Sequence, residues 1–265
     1  MTHPNSPARF TLPLRRRALT ERPTGRVWEE QVQRVTVATD QLAVVICDMW
    51  DHHWSAGAAL RVKQLVPELN DWCSRLRRLG VTVIHAPSDT MDAYEHSPAR
   101  ARAARYAGTE ARPPLALPPP PFELVDGGSD TVDQYSPNTA VWTRQHPGID
   151  IDEEVDLVSD EGREIAGYLE DTGRRTVLMT GVHTNLCVLS RSFGLAALIG
   201  YGLSPVLVSD LTDAMYDPAR PPYVTHDEGT RLVVRYVEAF VAPTVRRADV
   251  LPDPQPGSQD GEQDP

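Results

Sequence analysis

The sequence predicts a three-layer α/β fold in which helices flank a mostly parallel central sheet. Short apolar runs alternate along the chain with longer segments of helical periodicity, a pattern typical of parallel strands joined by crossover helices. Several of these runs end at a polar or glycine residue, as strands do where they reach the edge of a sheet. Both observations favour a single α/β domain.

Each element follows from its local pattern. Apolar runs place strands at residues 42–47, 81–84, 139–143, 176–181 and 204–209, with an additional edge strand or hairpin arm at 34–37. Helical periodicity places helices at 57–79, 160–173 and 226–241, a short helix around 98–106, and a further helix that begins near residue 187. Gly80 is expected to end the first helix, and Thr225 to cap the start of the last one.

The pattern predicts one domain over residues 26–250. Residues 1–25 are polar and aperiodic, which predicts a flexible arm that is either mobile or draped over a partner. Residues 251–265 predict a disordered acidic tail. Residues 87–138 form a long insertion, for which a lid, a subunit contact and a poorly ordered loop are all open.

Composition excludes several classes of function. The formal net charge of −11 argues against nucleic acid and anionic membrane as partners. Three cysteines in a chain of this length do not form a disulfide framework, and no pair of them has metal-ligand spacing. No run of about 18 apolar residues is present. We therefore expect a soluble, cytoplasmic protein.

One cysteine lies where a nucleophile is expected. Ligands of open parallel sheets bind beyond the carboxyl ends of the strands, where Asp48, His85, Arg144 and Gly181 are predicted to lie. Cys187 follows the fourth predicted strand by one tight turn and begins a helix, whose dipole is expected to lower the pKa of its thiol. A nearby aspartate could accept the thiol proton.

These segments resemble the isochorismatase-like cysteine hydrolase superfamily, which includes nicotinamidases and N-carbamoylsarcosine amidohydrolases. The resemblance rests mainly on residues 177–188 (VLMTGVHTNLCV), and is supported by 44–48 (VVICD), 80–86 (GVTVIHA) and 206–210 (VLVSD). It covers about residues 40–242 apart from the long loop, and it implies the isochorismatase-like fold. Homo-oligomers are frequent in the family, so the resemblance also implies a dimer or a higher assembly.

The resemblance implies a role for each matching residue. Cys187 corresponds to the nucleophile that forms a thioester, and Asp48 to the base that takes its proton. A cis peptide is implied between Val182 and His183, and it would direct the N–H groups of His183 and Cys187 at the oxyanion. The family lysine at the end of the third strand is missing, and either Arg144 or Gln145 stands in its place. The metal-binding D-x-H motif of nicotinamidases is absent as well, so we expect no metal and no cofactor.

Polar and aromatic residues around these positions are candidates for the substrate pocket, and the alternative for each of them is a structural role in packing or hydrogen bonding. The candidates are Trp50, His52, His53, Trp54, His85, Ser88, Tyr94, Tyr216 and Tyr223.

The predicted function is hydrolysis of an amide, lactam or carbamoyl C–N bond in a small molecule through a thioester on Cys187. Two alternatives stay open. The chain could be a catalytically impaired binding or assembly protein, or a hydrolase of vinyl ethers of the isochorismatase type. The intact cysteine counts against the second alternative, because the isochorismatases of the family lack it.

Overall fold

The computed structural model describes residues 7–118 and 135–253. Its strands are β1 (Arg9–Arg22), β2 (Gly25–Ala38), β3 (Leu42–Cys47), β4 (Thr82–Ala86), β5 (Leu157–Val158), β6 (Thr176–Val182), β7 (Ser204–Asp213) and β8 (Thr244–Val245). Its helices are α1 (Ala56–Arg78), α2 (Pro98–Ala104), α3 (Gly162–Asp171), α4 (Cys187–Ser190), α5 (Leu195–Gly200), α6 (His226–Phe240) and α7 (Arg247–Val250).

The strands form one sheet in the order β2-β1-β8-β7-β6-β3-β4-β5. Pairing is parallel from β8 through to β5, whereas β1 pairs antiparallel with both β2 and β8. Alternate residues of β3 point to opposite faces and enter two separate apolar clusters, Val45 with α3 and α5 on one side and Val44 with α1 on the other. The predicted three-layer α/β fold is confirmed.

Local signals mark the ends of the helices, and those predicted at Gly80 and Thr225 are confirmed. The Ser55 side chain accepts a hydrogen bond from the Ala58 amide and caps α1, and the Thr225 side chain caps α6 in the same way. Gly80 follows α1 with a φ of 85°, a conformation that glycine adopts without steric cost. No helix in the described residues is both long and apolar enough to cross a bilayer.

The predicted flexible arm is wrong for most of residues 1–25. Arg9–Arg22 form β1, which pairs with β2 over fourteen consecutive positions and makes a long hairpin. The apolar pattern misses this strand because one of its side chains, Leu12, is fully buried while most of the others are polar and partly exposed. The edge strand expected at 34–37 is the end of β2.

The strand predicted at 139–143 is also wrong. These residues form no ladder, and an isolated bridge joins the nearby Gln145 to Trp50. The position beside β4 is taken instead by β5, whose two residues are too few for a recognisable pattern.

Much of the predicted long loop is packed against the domain. Residues 87–118 include a 3-10 turn at Met91–Tyr94 and α2, and the Leu115 amide donates to the carbonyl of Ala196. The rest of the predicted loop, except for 135–138, and all but the first three residues of the predicted tail lie outside the described residues. The lid and the disordered tail stay predictions.

Candidate active site

The site begins with Asp48, which directly follows β3. Because β4, β3 and β6 are neighbours in the sheet, their carboxyl ends meet here. Asp48 is completely buried, and its φ of 47° lies in the left-handed region, which costs a residue other than glycine about 1–3 kcal/mol. Its amide donates to the carbonyl of Ala86 at 3.1 Å. The backbone is thus held in a strained conformation that points a carboxylate into the protein.

Three groups surround the Asp48 carboxylate. The Ser88 amide donates to Oδ1 at 2.7 Å, and the Arg191 Nε donates to Oδ2 at 3.3 Å. The third group is the thiol of Cys187. Burial raises the pKa of Asp48, and this effect is opposed first by Arg191 and then by Cys187 and Ser88. The result is a carboxylate that is more basic than an exposed aspartate and faces a thiol.

Cys187 is half-buried at the start of α4. Burial and the negative charge of Asp48 raise the pKa of its thiol to about 12, against a smaller lowering by Arg191. The predicted lowering by the helix dipole is wrong, because α4 has only four residues and the adjacent carboxylate outweighs it. The resting pair is therefore a protonated thiol beside a carboxylate that can remove its proton.

The positive charge of the site comes from Arg191, which the sequence did not reveal. Its guanidinium contacts Asp48, Cys187 and the Asp89 carboxylate, the last at 3.2 Å. The electrostatic role predicted for Arg144 or Gln145 is wrong. Arg144 is exposed, and the buried Gln145 side chain is bonded to the ring of His85 and the carbonyl of Ile149. A possible signal for Arg191 was its position four residues after Cys187, one helical turn away.

Two backbone amides of the turn before α4 are available to a ligand. The peptide bond between Val182 and His183 is cis, at the position that the resemblance implies. Within residues 7–118 and 135–253, the N–H groups of His183 and Cys187 have no hydrogen-bond acceptor. The turn itself is held by Asn185, whose side-chain amide bonds to both the N–H and the carbonyl of Met215. Free donors on a fixed turn are suited to an oxyanion.

An aromatic cluster lies beside this turn. Trp50 and Trp142 stack with their ring centroids 4.3 Å apart, and the ring of His53 lies 5.1 Å from that of His183. Trp142 and Leu186, the residue before Cys187, pack against the same buried apolar group, which includes Trp54. Several predicted pocket residues therefore come together beside the turn that leads to Cys187.

Three side chains at the site carry buried polar atoms that form no well-placed hydrogen bond among the described residues. They are the Ser88 Oγ, which interacts with the adjacent Asp48 carboxylate, the Trp142 Nε1 and the His183 Nε2. Burial, and next the charge of His53, lower the pKa of His183 to about 3, so its ring is neutral at ordinary pH. Buried polar atoms of this kind are normally satisfied, and a bound ligand can supply the missing bond.

The other pocket candidates lie away from the nucleophile or have structural roles. His52 and Tyr223 are largely exposed, with 68% of the His52 side chain accessible. His85 is fully buried and bonded through its two ring nitrogens to Gln145 and Asp156. The hydroxyls of Tyr94 and Tyr216 bond to backbone groups of neighbouring segments. Among the described residues no group of three His, Cys, Asp or Glu side chains is arranged to hold a metal ion.

Comparison with solved structures shows similarity of the fold. The structure is similar to a cysteine hydrolase from Pseudomonas syringae pv. phaseolicola, with a TM-score of 0.51 and 14% identity over 81% of this chain and 92% of that one. It is also similar to an isochorismatase from Pseudomonas putida, with a TM-score of 0.49 and 12% identity over 80% and 91% of the two chains. At these identities the likeness concerns the fold. A search of curated proteins found no match.

The sequence itself matches a family model described as the isochorismatase domain over residues 42–221. This match spans most of the chain and includes Asp48, the turn before Cys187, and Arg191. The chain therefore belongs to the isochorismatase domain family.

Proposed function

We propose that the chain is a cysteine hydrolase that cleaves an amide, lactam or carbamoyl C–N bond of a small molecule. The observation that carries this proposal is the position of the Cys187 thiol between a carboxylate and a guanidinium, next to two unpaired backbone amides. Each of these groups matches a requirement of acyl transfer, namely a nucleophile, a base, a counter-charge and donors for the oxyanion.

In the proposed reaction Asp48 takes the thiol proton as the Cys187 sulfur attacks the carbonyl carbon. The tetrahedral oxyanion accepts hydrogen bonds from the N–H groups of His183 and Cys187. Collapse of this intermediate breaks the C–N bond, and the protonated Asp48 returns its proton to the departing nitrogen. Water activated by the same carboxylate then hydrolyses the thioester and frees the acid and Cys187.

The aromatic cluster suggests what kind of amide to try. A flat apolar wall of Trp50 and Trp142 next to the nucleophile suits a ring or another planar group attached to the carbonyl. The Trp142 Nε1 and the His183 Nε2, which lack partners among the described residues, can form hydrogen bonds with polar atoms of such a substrate. The first panel of candidate substrates should therefore contain cyclic and aromatic amides, lactams and carbamoyl compounds.

The test is capture of the acyl-enzyme. We expect rapid acid quenching during turnover of an active amide to give an intact mass increased by the acyl group, with the label on the peptide that contains Cys187. Cys187→Ala should form no adduct and release no amine, whereas Cys73→Ala, which alters a buried cysteine in α1, should behave like wild type. Amine release that continues in Cys187→Ala would overturn the proposal. An intact thiol that cleaves nothing in the panel would favour the binding-protein alternative.

The role assigned to Arg191 has its own test. We expect Arg191→Gln to raise the pKa of Cys187 and to lower kcat/KM by ~10²–10³-fold, because the developing sulfur anion and oxyanion lose their counter-charge. Arg144→Gln removes the same charge from an exposed position and should change neither quantity. The measurements are the pH dependence of alkylation by iodoacetamide and steady-state kinetics. An effect of Arg144→Gln that equals that of Arg191→Gln would contradict the assignment.

A further inference from the structure

The two edges of the central sheet are very different. At one edge β5 contributes two residues, so it exposes little unpaired backbone. At the other edge β2 is fourteen residues long and pairs with β1 along its entire length. No described strand pairs with the outer side of β2, which presents a long row of free N–H and C=O groups. Such a row is a template for pairing with another strand.

Several of the features that block edge pairing are missing from β2, although the strand does carry charged side chains. The strand contains no proline and no lysine, and its register with β1 runs without a bulge. Large apolar side chains are exposed along it, with Val27 and Trp28 each 40% accessible and Val32 56% accessible. Trp28 packs edge-on against Phe240, which is also 40% accessible. This edge resembles an interface more than a solvated rim.

The charges on β2 are complementary to those of a second copy of the same strand. If two copies meet antiparallel about a two-fold axis through Val32, Glu30 of each copy lies opposite Arg34 of the other, and Gln31 lies opposite Gln33. Glu30 has only a loose contact at 3.9 Å with Arg15, and Arg34 has no acidic partner among the described residues. Opposite charges on directly facing residues stabilise a pair of strands.

We propose that the chain forms a two-fold symmetric dimer in which β2 pairs with β2 of a second copy and joins the two sheets. A second copy fits this edge because the same strand carries both members of each charge pair, as an isologous interface requires. Val32 then faces Val32 across the axis and is withdrawn from water. A register that paired Glu29 with an arginine of the second copy is less favourable. The Glu29 carboxylate already accepts a hydrogen bond from the Arg22 Nε at 2.9 Å.

The test is a charge exchange followed by analytical ultracentrifugation over a concentration series. The purified wild-type chain should sediment as a dimer. Glu30→Arg and Arg34→Glu should each raise the dimer dissociation constant by ~10-fold or more, because each places like charges opposite one another at two symmetric positions. The double variant restores both pairs and should dimerise like wild type. Circular dichroism checks that each variant is folded.

Arg26→Glu is the matched control, because in this register Arg26 faces Ala38 and not a charge. It should leave the dissociation constant unchanged. A monomeric wild-type chain, as expected if β2 pairs with a strand of a different protein, overturns the proposal. A dimer that withstands both Glu30→Arg and Arg34→Glu also overturns the proposal. So does a dimer that Arg26→Glu disrupts, because disruption by Arg26→Glu indicates a register centred on Trp28.

Discussion

Replacing Asp48 with asparagine is expected to make Cys187 more acidic and the enzyme much slower. The carboxylate raises the pKa of the thiol towards about 12, so its loss should lower that pKa, and each unit increases the thiolate fraction about tenfold at a given pH below the pKa. Amide hydrolysis should nevertheless fall by ~10²–10⁴-fold, because no base remains to take the proton and return it to the leaving nitrogen. The pH dependence of iodoacetamide alkylation and steady-state kinetics measure the two quantities.

The control for this experiment is Asp89→Asn. Asp89 also contacts Arg191, at 3.2 Å, but its side chain is 61% exposed and it does not act on the thiol directly. This variant should keep the alkylation profile and the rate close to those of wild type. If Asp48→Asn left the pKa of Cys187 unchanged or raised it, the described contact between thiol and carboxylate would be wrong.

The second large effect is expected on stability. Gly181 of β6 pairs with Cys47 of the neighbouring parallel strand β3 and has a φ of 94°, and a Cβ atom there would stand 2.0 Å from the carbonyl oxygen of Cys47. A shift of the β3 backbone away from this atom would also displace Asp48, which directly follows Cys47. We expect Gly181→Ala to lower the free energy of unfolding by ~4 kcal/mol or more, a loss typical of severe backbone conflict. Urea denaturation measures this change.

Gly80→Ala separates the two causes of the stability loss, which are the steric clash of the added Cβ atom and the strain of a positive φ. Gly80 has a similar φ of 85°, but a Cβ atom there meets nothing within 4 Å. Its substitution should therefore cost only the conformational strain, ~1–2 kcal/mol. Equal losses for the two variants would show that the close approach to Cys47 does not constrain Gly181.

The parts of the fold that could be predicted are those in which burial imposes a pattern. Strands β3, β4, β6 and β7 are apolar runs because both faces of the sheet are covered, and α1 and α6 carry one apolar face and a capping side chain. The β1–β2 hairpin is mostly solvated, so its polar sequence carries no such pattern. In β5 the two residues are too few to show any period.

In the candidate site, too, some residues could be predicted from the sequence and others could not. Asp48 and Cys187 follow recognisable strands and could be placed from the sequence. Arg144 was assigned a role because it ends a predicted strand, and the strand does not form. Arg191 could not be assigned from position alone, because its contact with Asp48 depends on how tightly the chain turns after the four residues of α4.

Because Arg191 lies on the turn that follows Cys187, most groups of the candidate site belong to one short peptide. The proposed nucleophile, the two amide donors and the guanidinium all lie within residues 183–191, and only the proposed base, Asp48, follows a distant strand. Their spacing is thus set by local backbone geometry together with the hydrogen bonds that hold Asn185 to Met215. The segment before Gln145 brings no charge to Cys187, because Arg144 is exposed, and its contribution beside the site is the aromatic ring of Trp142.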